Sequence, residues 1–144
     1  MSKSNTYETD LLKLIFHGNT ISGIANNYTP APSTNLYLSL HTADPGEAGD
    51  QSTNETTYTS YARYPVLRSP AGWMISGNTA NLIANADFVT CTGGTATITH
   101  FGIGANSMAT IAGYLLYKGT VTPNISVSSG VTPRLTTATN VVEE

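Results

Sequence analysis

Four carboxylates fall close together in the stretch 43–57, ADPGEAGDQSTNETT: Asp44, Glu47, Asp50 and Glu55, with no base among them. Such a set supplies the hard oxygen ligands that calcium takes. The spacing does not follow an EF-hand loop, however, and a segment this polar has almost nothing to bury. It reads first as a long solvated connection. His41 stands just ahead of it and His100 lies within THFGIGANS. These two would make an acid–base or metal-binding pair only if their strands were neighbours, which the sequence does not dictate. Cys91, the single cysteine, sits in the strand-like run FVTCT; it has no partner for an internal disulfide and reads as a buried structural thiol. Gly102 and Gly104 form a G-x-G without the third glycine or the βαβ setting of a dinucleotide loop. G-x-S-x-G, H-E-x-x-H and Walker patterns are absent. The chain therefore reads as a non-enzyme with no catalytic residue, no cofactor and no metal site.

Tyr58, Tyr61 and Tyr64 stand with Arg63 and Arg68 in the one aromatic-basic cluster of the sequence. Tyrosine and arginine together mark interface hot spots, and the same combination suits a sugar-binding surface. Cross-strand pairing on a solvent face is the plainer account of the same residues. Pro65 within the run favours an edge strand, where a missing N–H does least harm.

The elements that must position these residues follow from composition and periodicity. The 144 residues are 40% hydrophobic and only 10% charged, rich in Thr, Ser, Asn and Gly, with 8 Tyr. That composition fits one β-rich domain spanning 1–144. No apolar run approaches the length of a membrane span. The N-terminus lacks the long apolar region and small-residue cleavage site of a signal peptide, so synthesis in the cytoplasm is expected. Lys3, Lys13, Arg63, Arg68, Lys118 and Arg134 are scattered and the net charge is -3, so no basic stripe for nucleic acid exists.

One helix is expected at about 7–17, with Tyr7, Leu11, Leu14 and Ile15 as its apolar stripe, Asn5 and Glu8 as a capping-box variant and Gly18 closing it. Alone it would be marginal in water, so the stripe must dock on the body or on a partner. From residue 35 the period becomes two: Leu36, Leu38 and Leu40 face one way in NLYLSLHT, and Tyr37, Ser39 and His41 the other. Further short strands are expected at 58–67, 72–76, 81–83, 87–92, 95–102, 111–119, 125–128 and 137–142, separated by Gly, Pro, Asn and Ser turns. The fold class is mainly β, an antiparallel β-sandwich or jelly roll with a short N-terminal α-helix. No repeat of 20–50 residues and no heptad is visible, which argues against an extended shaft.

The runs NLYLSLHTADPGEAGDQSTNETTYTSYARYPVLRS, THFGIGA and LLYKG give the chain a further handle. They resemble small virion proteins of tailed bacteriophages, a family of capsid decoration or cement proteins often loosely named tail-fibre proteins, over about Leu11 to Val141. The resemblance implies a structural component on the outer surface of the capsid, made in the bacterial host cytoplasm and bound to the major capsid protein, where it stabilises the assembled head. It also implies a homo-oligomer, dimer or trimer, with no membrane or nucleic-acid partner. The candidate interface residues are then Tyr7, Leu11, Leu14 and Ile15 on the helix and Tyr58, Tyr61, Arg63, Tyr64 and Arg68 in the aromatic-basic run. The alternative is a tail-associated or receptor-binding β-module, with the Tyr58–Arg68 run on host glycan.

Overall fold

A computed structural model describes residues 3–21 and 33–143. It is mainly β, with antiparallel sheets and one short N-terminal helix. In chain order the elements are helix α1 (Asn5–Leu12), a π-helical turn (Lys13–His17), and strands β1 (Asn35–His41), β2 (Tyr64–Leu67), β3 (Trp73–Ser76), β4 (Thr79–Leu82), β5 (Ala86–Asp87), β6 (Ala96–Gly104), β7 (Leu115–Val127), β8 (Arg134–Leu135) and β9 (Asn140–Val142). Among the described residues no helix is long and apolar enough to cross a membrane. The packing groups these residues into two compact units, one of Met1–Asn35, Val66–Asn85 and Leu135–Glu144, the other of Leu36–Pro65 and Ala86–Arg134.

The first unit holds the helix. Ser4 rather than Asn5 caps it, its hydroxyl accepting from the Tyr7 N–H at 3.3 Å. Glu8, Leu12 and Phe16 are its buried residues, while Tyr7 is 40% exposed and Leu11, Leu14 and Ile15 are half-buried. The expected stripe is thus displaced by one residue. Leu11, Leu12, Leu14, Ile15 and Phe16 make an apolar block that reads equally well in either phase, and the larger aromatic decides. Phe16 packs on Trp73 with ring centroids 4.5 Å apart, and the π-helical turn carries it there before Gly18, at φ 72°, ends the helix. The helix therefore docks on its own unit: Thr9 Oγ1 donates to Gly77 O at 2.8 Å, and His17 Nε2 donates to Trp73 O at 3.0 Å. Beneath it β3, β4 and β9 pair antiparallel, with Trp73 opposite Leu82 and Ala80 opposite Val141.

In the second unit β1, β6 and β7 are consecutive neighbours in an antiparallel sheet. Leu38 lies opposite Ile103 and Leu40 opposite Phe101, which puts the apolar side chains of both strands on one face, as the period of two predicts. Tyr37, Ser39 and His41 face the other way over Gly104, Gly102 and His100. That face is not open to solvent: Ser39 and His41 are buried. The expected strands 111–119 and 125–128 are one strand, β7, and its start at Leu115 leaves 105–114 as the loop between β6 and β7. The expected strand at 58–67 shrinks to β2, because Ser60 takes φ 78° and Tyr61 N–H bonds back to Tyr58 O at 3.0 Å in a turn.

Candidate functional site

The segment 43–57 folds back over the polar face of β1, against the expectation that it has nothing to bury: Gln51, Glu55 and Thr56 are all buried. At its end Glu55 meets Arg63 in a bidentate pair, Nε to Oε1 at 2.7 Å and Nη2 to Oε2 at 2.9 Å, with the two side chains 0% and 1% exposed. A buried pair is tolerable only if its remaining donors and acceptors are filled, and here they are. Arg63 donates from Nη1 to Asn106 O at 3.0 Å and from Nη2 to Ile111 O at 2.9 Å. Glu55 accepts from the Tyr61 hydroxyl at 2.8 Å and from the Thr110 N–H at 2.7 Å. Gln51 completes the set, accepting from Asn106 N–H at 3.0 Å, donating to Tyr37 O at 3.2 Å and giving its own backbone N–H to Gly113 O at 3.0 Å. Burial, with the Glu55 charge adding to it, pushes the Tyr61 phenol up, so it stays a neutral donor.

Asn106, Thr110, Ile111 and Gly113 all belong to the 105–114 loop, so the ion pair is a strap on that loop. The glycines make room for it. A Cβ on Gly104 would stand 2.0 Å from Gln51 Cδ, one on Gly113 2.5 Å from Asn106 Cβ, and one on Gly102 2.7 Å from Ser39 Oγ and 2.8 Å from His41 Nε2. The G-x-G is a packing device: only a residue without a side chain leaves space for Gln51, Ser39 and His41 above the sheet.

Held in this way, the loop displays Met108, 62% exposed, Ile111, 48%, and Tyr114, 79%. Inside it Asn106 donates to Ala112 O and accepts from Met108 N–H, and Thr110 takes φ 60°. A cleft of about 350 Å³ opens beside it, lined by Gly49, Asp50, Ala112, Gly113, Tyr114 and Leu115. Large apolar side chains presented to solvent by a loop tied to the core are what a protein interface requires. Among known protein families, that described as podophage GP4 fiber I protein gp80 has a model that matches residues 2–143. The chain belongs to this family. It is a bacteriophage structural protein, a component of the virion. No curated protein matches it.

The Gp80-family fold places the other candidate residues as follows. His41 and His100 do face each other across β1 and β6, yet each has its own partner. Thr53 O can only accept, so His41 Nδ1 carries the proton of their 2.8 Å bond, and Nε2 accepts from Ser39 Oγ at 2.9 Å. Burial holds the His41 pKa below its ordinary value. His100 Nδ1 bonds Thr99 Oγ1 at 2.8 Å. Asp44 and Glu47 share Lys118, at 3.0 Å and 3.2 Å, and Asp50 accepts from the N–H and hydroxyl of Ser52. The Gly46 N–H, donating to Asp44 Oδ1 at 2.8 Å, and then Lys118 hold Asp44 below the usual carboxylate range, and Ser52 does the same for Asp50. Among the described residues no three His, Cys, Asp or Glu side chains converge as a metal-ligand set. The Cys91 thiol is buried and donates to Gly93 O at 3.2 Å.

The aromatic-basic cluster is not an exposed surface of the Gp80-family chain. Tyr58 is buried, its hydroxyl donating to Val89 O at 2.9 Å, and burial pushes its pKa up to about 12. Tyr58 packs edge-on to Tyr61 at 5.3 Å, and Tyr61 and Tyr64 lie against Phe88 at 6.4 and 5.9 Å. Arg63 points inward to Glu55, because a guanidinium with five donors finds five oxygens fixed around it there. Arg68, in the first unit, donates to the carbonyls of Leu14 and Ile15. Sequence reading missed Met108, Ile111 and Tyr114, absorbing the last two into a strand. The signal available was the segment Asn106–Gly113, NSMATIAG, whose Asn, Ser and Gly mark a loop while Met and Ile sit within it.

Proposed function

We propose that this chain is a non-catalytic building block of a podophage fibre and that it attaches to its neighbour in the particle through the 105–114 loop. The observation that carries the attachment is the buried Glu55–Arg63 pair, three of whose hydrogen bonds end on a loop that exposes Met108, Ile111 and Tyr114. An interface loop that is rigid before binding loses less entropy on association than a mobile one. The family description supplies the word fiber. Because the sequence carries no shaft repeat or heptad, the chain fits a terminal or connecting module of such a fibre better than its rod.

Reconstruction of the whole particle, with antibody labelling of this chain, tests the reading: density on a fibre is the expected result, and density confined to the head shell would refute it. The second reading is the head-decoration role, also favoured by the absence of shaft repeats. Under it the chain stabilises the shell by binding only its assembled form. Particles lacking the chain would then assemble and fail early under heat or osmotic shock. Under the fibre reading they would keep their heads intact and lose the fibre or its function in adsorption.

A further inference from the structure

The cleft beside the loop has the chemistry to recognise a cation. Tyr114 presents an aromatic ring at 79% exposure, and Asp50 lines the same cleft with a carboxylate. Both Ser52 hydrogen bonds to Asp50 end on Oδ1, at 2.7 and 2.6 Å, and with the weaker Thr53 contacts they hold the carboxylate ionised at the edge of the cleft. An aromatic face together with an ionised carboxylate favours a guanidinium or ammonium group over an anion or a neutral polar group. On the same loop Met108 and Ile111 expose apolar side chains, and Glu47, two residues before the cleft's Gly49, has its side chain 94% exposed and shares Lys118 with Asp44, so that the acids outnumber the base at this margin.

Resting on the reading of the loop as a docking site, we propose that this cleft seats a lysine or arginine side chain of a different virion protein, whose adjacent apolar residues pack on Met108 and Ile111. Charge complementarity separates a different chain from a second copy. Five of the six bases here are already engaged: Lys3 with Glu143, Arg63 with Glu55, Lys118 with Asp44 and Glu47, Arg134 with Asp87, and Arg68 with the Leu14 and Ile15 carbonyls. A second copy has little positive charge to bring to an acidic margin, whereas a partner rich in exposed bases gains both the ion pair and the apolar contact.

The test uses phage carrying Asp50→Asn, which keeps the Oδ1 acceptor for Ser52 and removes the charge, and Tyr114→Ala, which removes an exposed ring. Copies of the chain per purified particle are counted by quantitative mass spectrometry, with Val89→Ala as a variant of an exposed apolar residue outside the loop. Each cleft variant is expected to lower incorporation about ten-fold, the ratio that follows from one lost hot-spot contact. The purified variants should melt like the parent chain. A photo-crosslinking residue at position 108 should join the chain to another virion protein close to a Lys or Arg of that partner. Undiminished incorporation of both variants overturns the proposal. So does an adduct formed only with another copy of this chain. Normal incorporation combined with lost adsorption, competed by a neutral oligosaccharide, would instead make the cleft a sugar site. The fibre reading fails separately: the chain would be found on the head while the cleft variants still failed to attach.

Discussion

Replacing Arg63 with Leu removes one half of the buried pair and leaves the Glu55 carboxylate facing only the Tyr61 hydroxyl and the Thr110 N–H. It also strips the Asn106 and Ile111 carbonyls of their donors. Breaking a buried ion pair from one side destabilises by about 3–5 kcal/mol, because the surviving charge stays desolvated. For a chain of 144 residues unfolding together, that is a fall in melting temperature of roughly 10–15 °C. Arg63→Leu with Glu55→Met should recover part of the loss, since no charge is then stranded. It should not recover all of it, because Thr110 N–H and the two loop carbonyls remain without partners at about 1–3 kcal/mol each where buried. Urea denaturation of the single and double variants gives the two numbers, and amide hydrogen exchange across 105–114 reports the loop itself. Both variants should lose protection there. If Arg63→Leu costs less than about 1 kcal/mol, or loop exchange stays at the parent rate, the strap argument is wrong.

Gly104→Ala places a Cβ 2.0 Å from Gln51 Cδ and 2.3 Å from Tyr114 O, so denaturation should show a loss of about 1–3 kcal/mol or more. Gly130→Ala, which meets nothing within 4 Å but has φ 90°, should show only the smaller backbone effect. His41 is held neutral by burial, so its folded pKa lies below the unfolded value near 6.5; as pH falls through 6.5 the unfolded chain takes up a proton that the fold refuses, and stability falls. Urea midpoints measured between pH 7.5 and 5.5 should therefore decline, and His41→Asn should flatten that slope relative to the parent. On the helix, Phe16→Ala should cost about 3–5 kcal/mol and Leu12→Ala about 2–5, whereas Tyr7→Asp should stay within about 0.5 of the parent in the same assay.

What the sequence made legible was set by periodicity. The alternation of Leu36, Leu38 and Leu40 located β1 and its apolar face, and the Gly, Pro and Asn turns located most of the other strands. Phase was lost on the helix because five apolar residues between 11 and 16 satisfy more than one stripe, and the choice rests on Trp73, some sixty residues away. The buried pair was invisible for a related reason. Glu55 reads as part of an acidic, solvated run and Arg63 as part of a tyrosine-rich surface, and only the return of 43–57 over β1 turns them toward each other. The glycines Gly102 and Gly104 were noticed as a motif, but their meaning depends on Gln51, Ser39 and His41 above them.

The placement of so much polarity under one loop bears on function. Net stability by itself does not call for an ion pair here, since well-packed apolar residues often match a buried pair wherever no backbone partner is left stranded. Apolar packing is non-directional, however, and would not fix where Asn106, Thr110 and Ile111 sit along the loop. Directional hydrogen bonds to three backbone sites do, and they set the spacing of Met108 and Ile111 relative to Tyr114 and the cleft. The Glu55–Arg63 pair is thus justified by the shape of the proposed docking surface rather than by stability. Variants of the pair should therefore impair particle attachment by more than their unfolded fraction explains, and measuring both quantities at a temperature well below the melt separates the two effects.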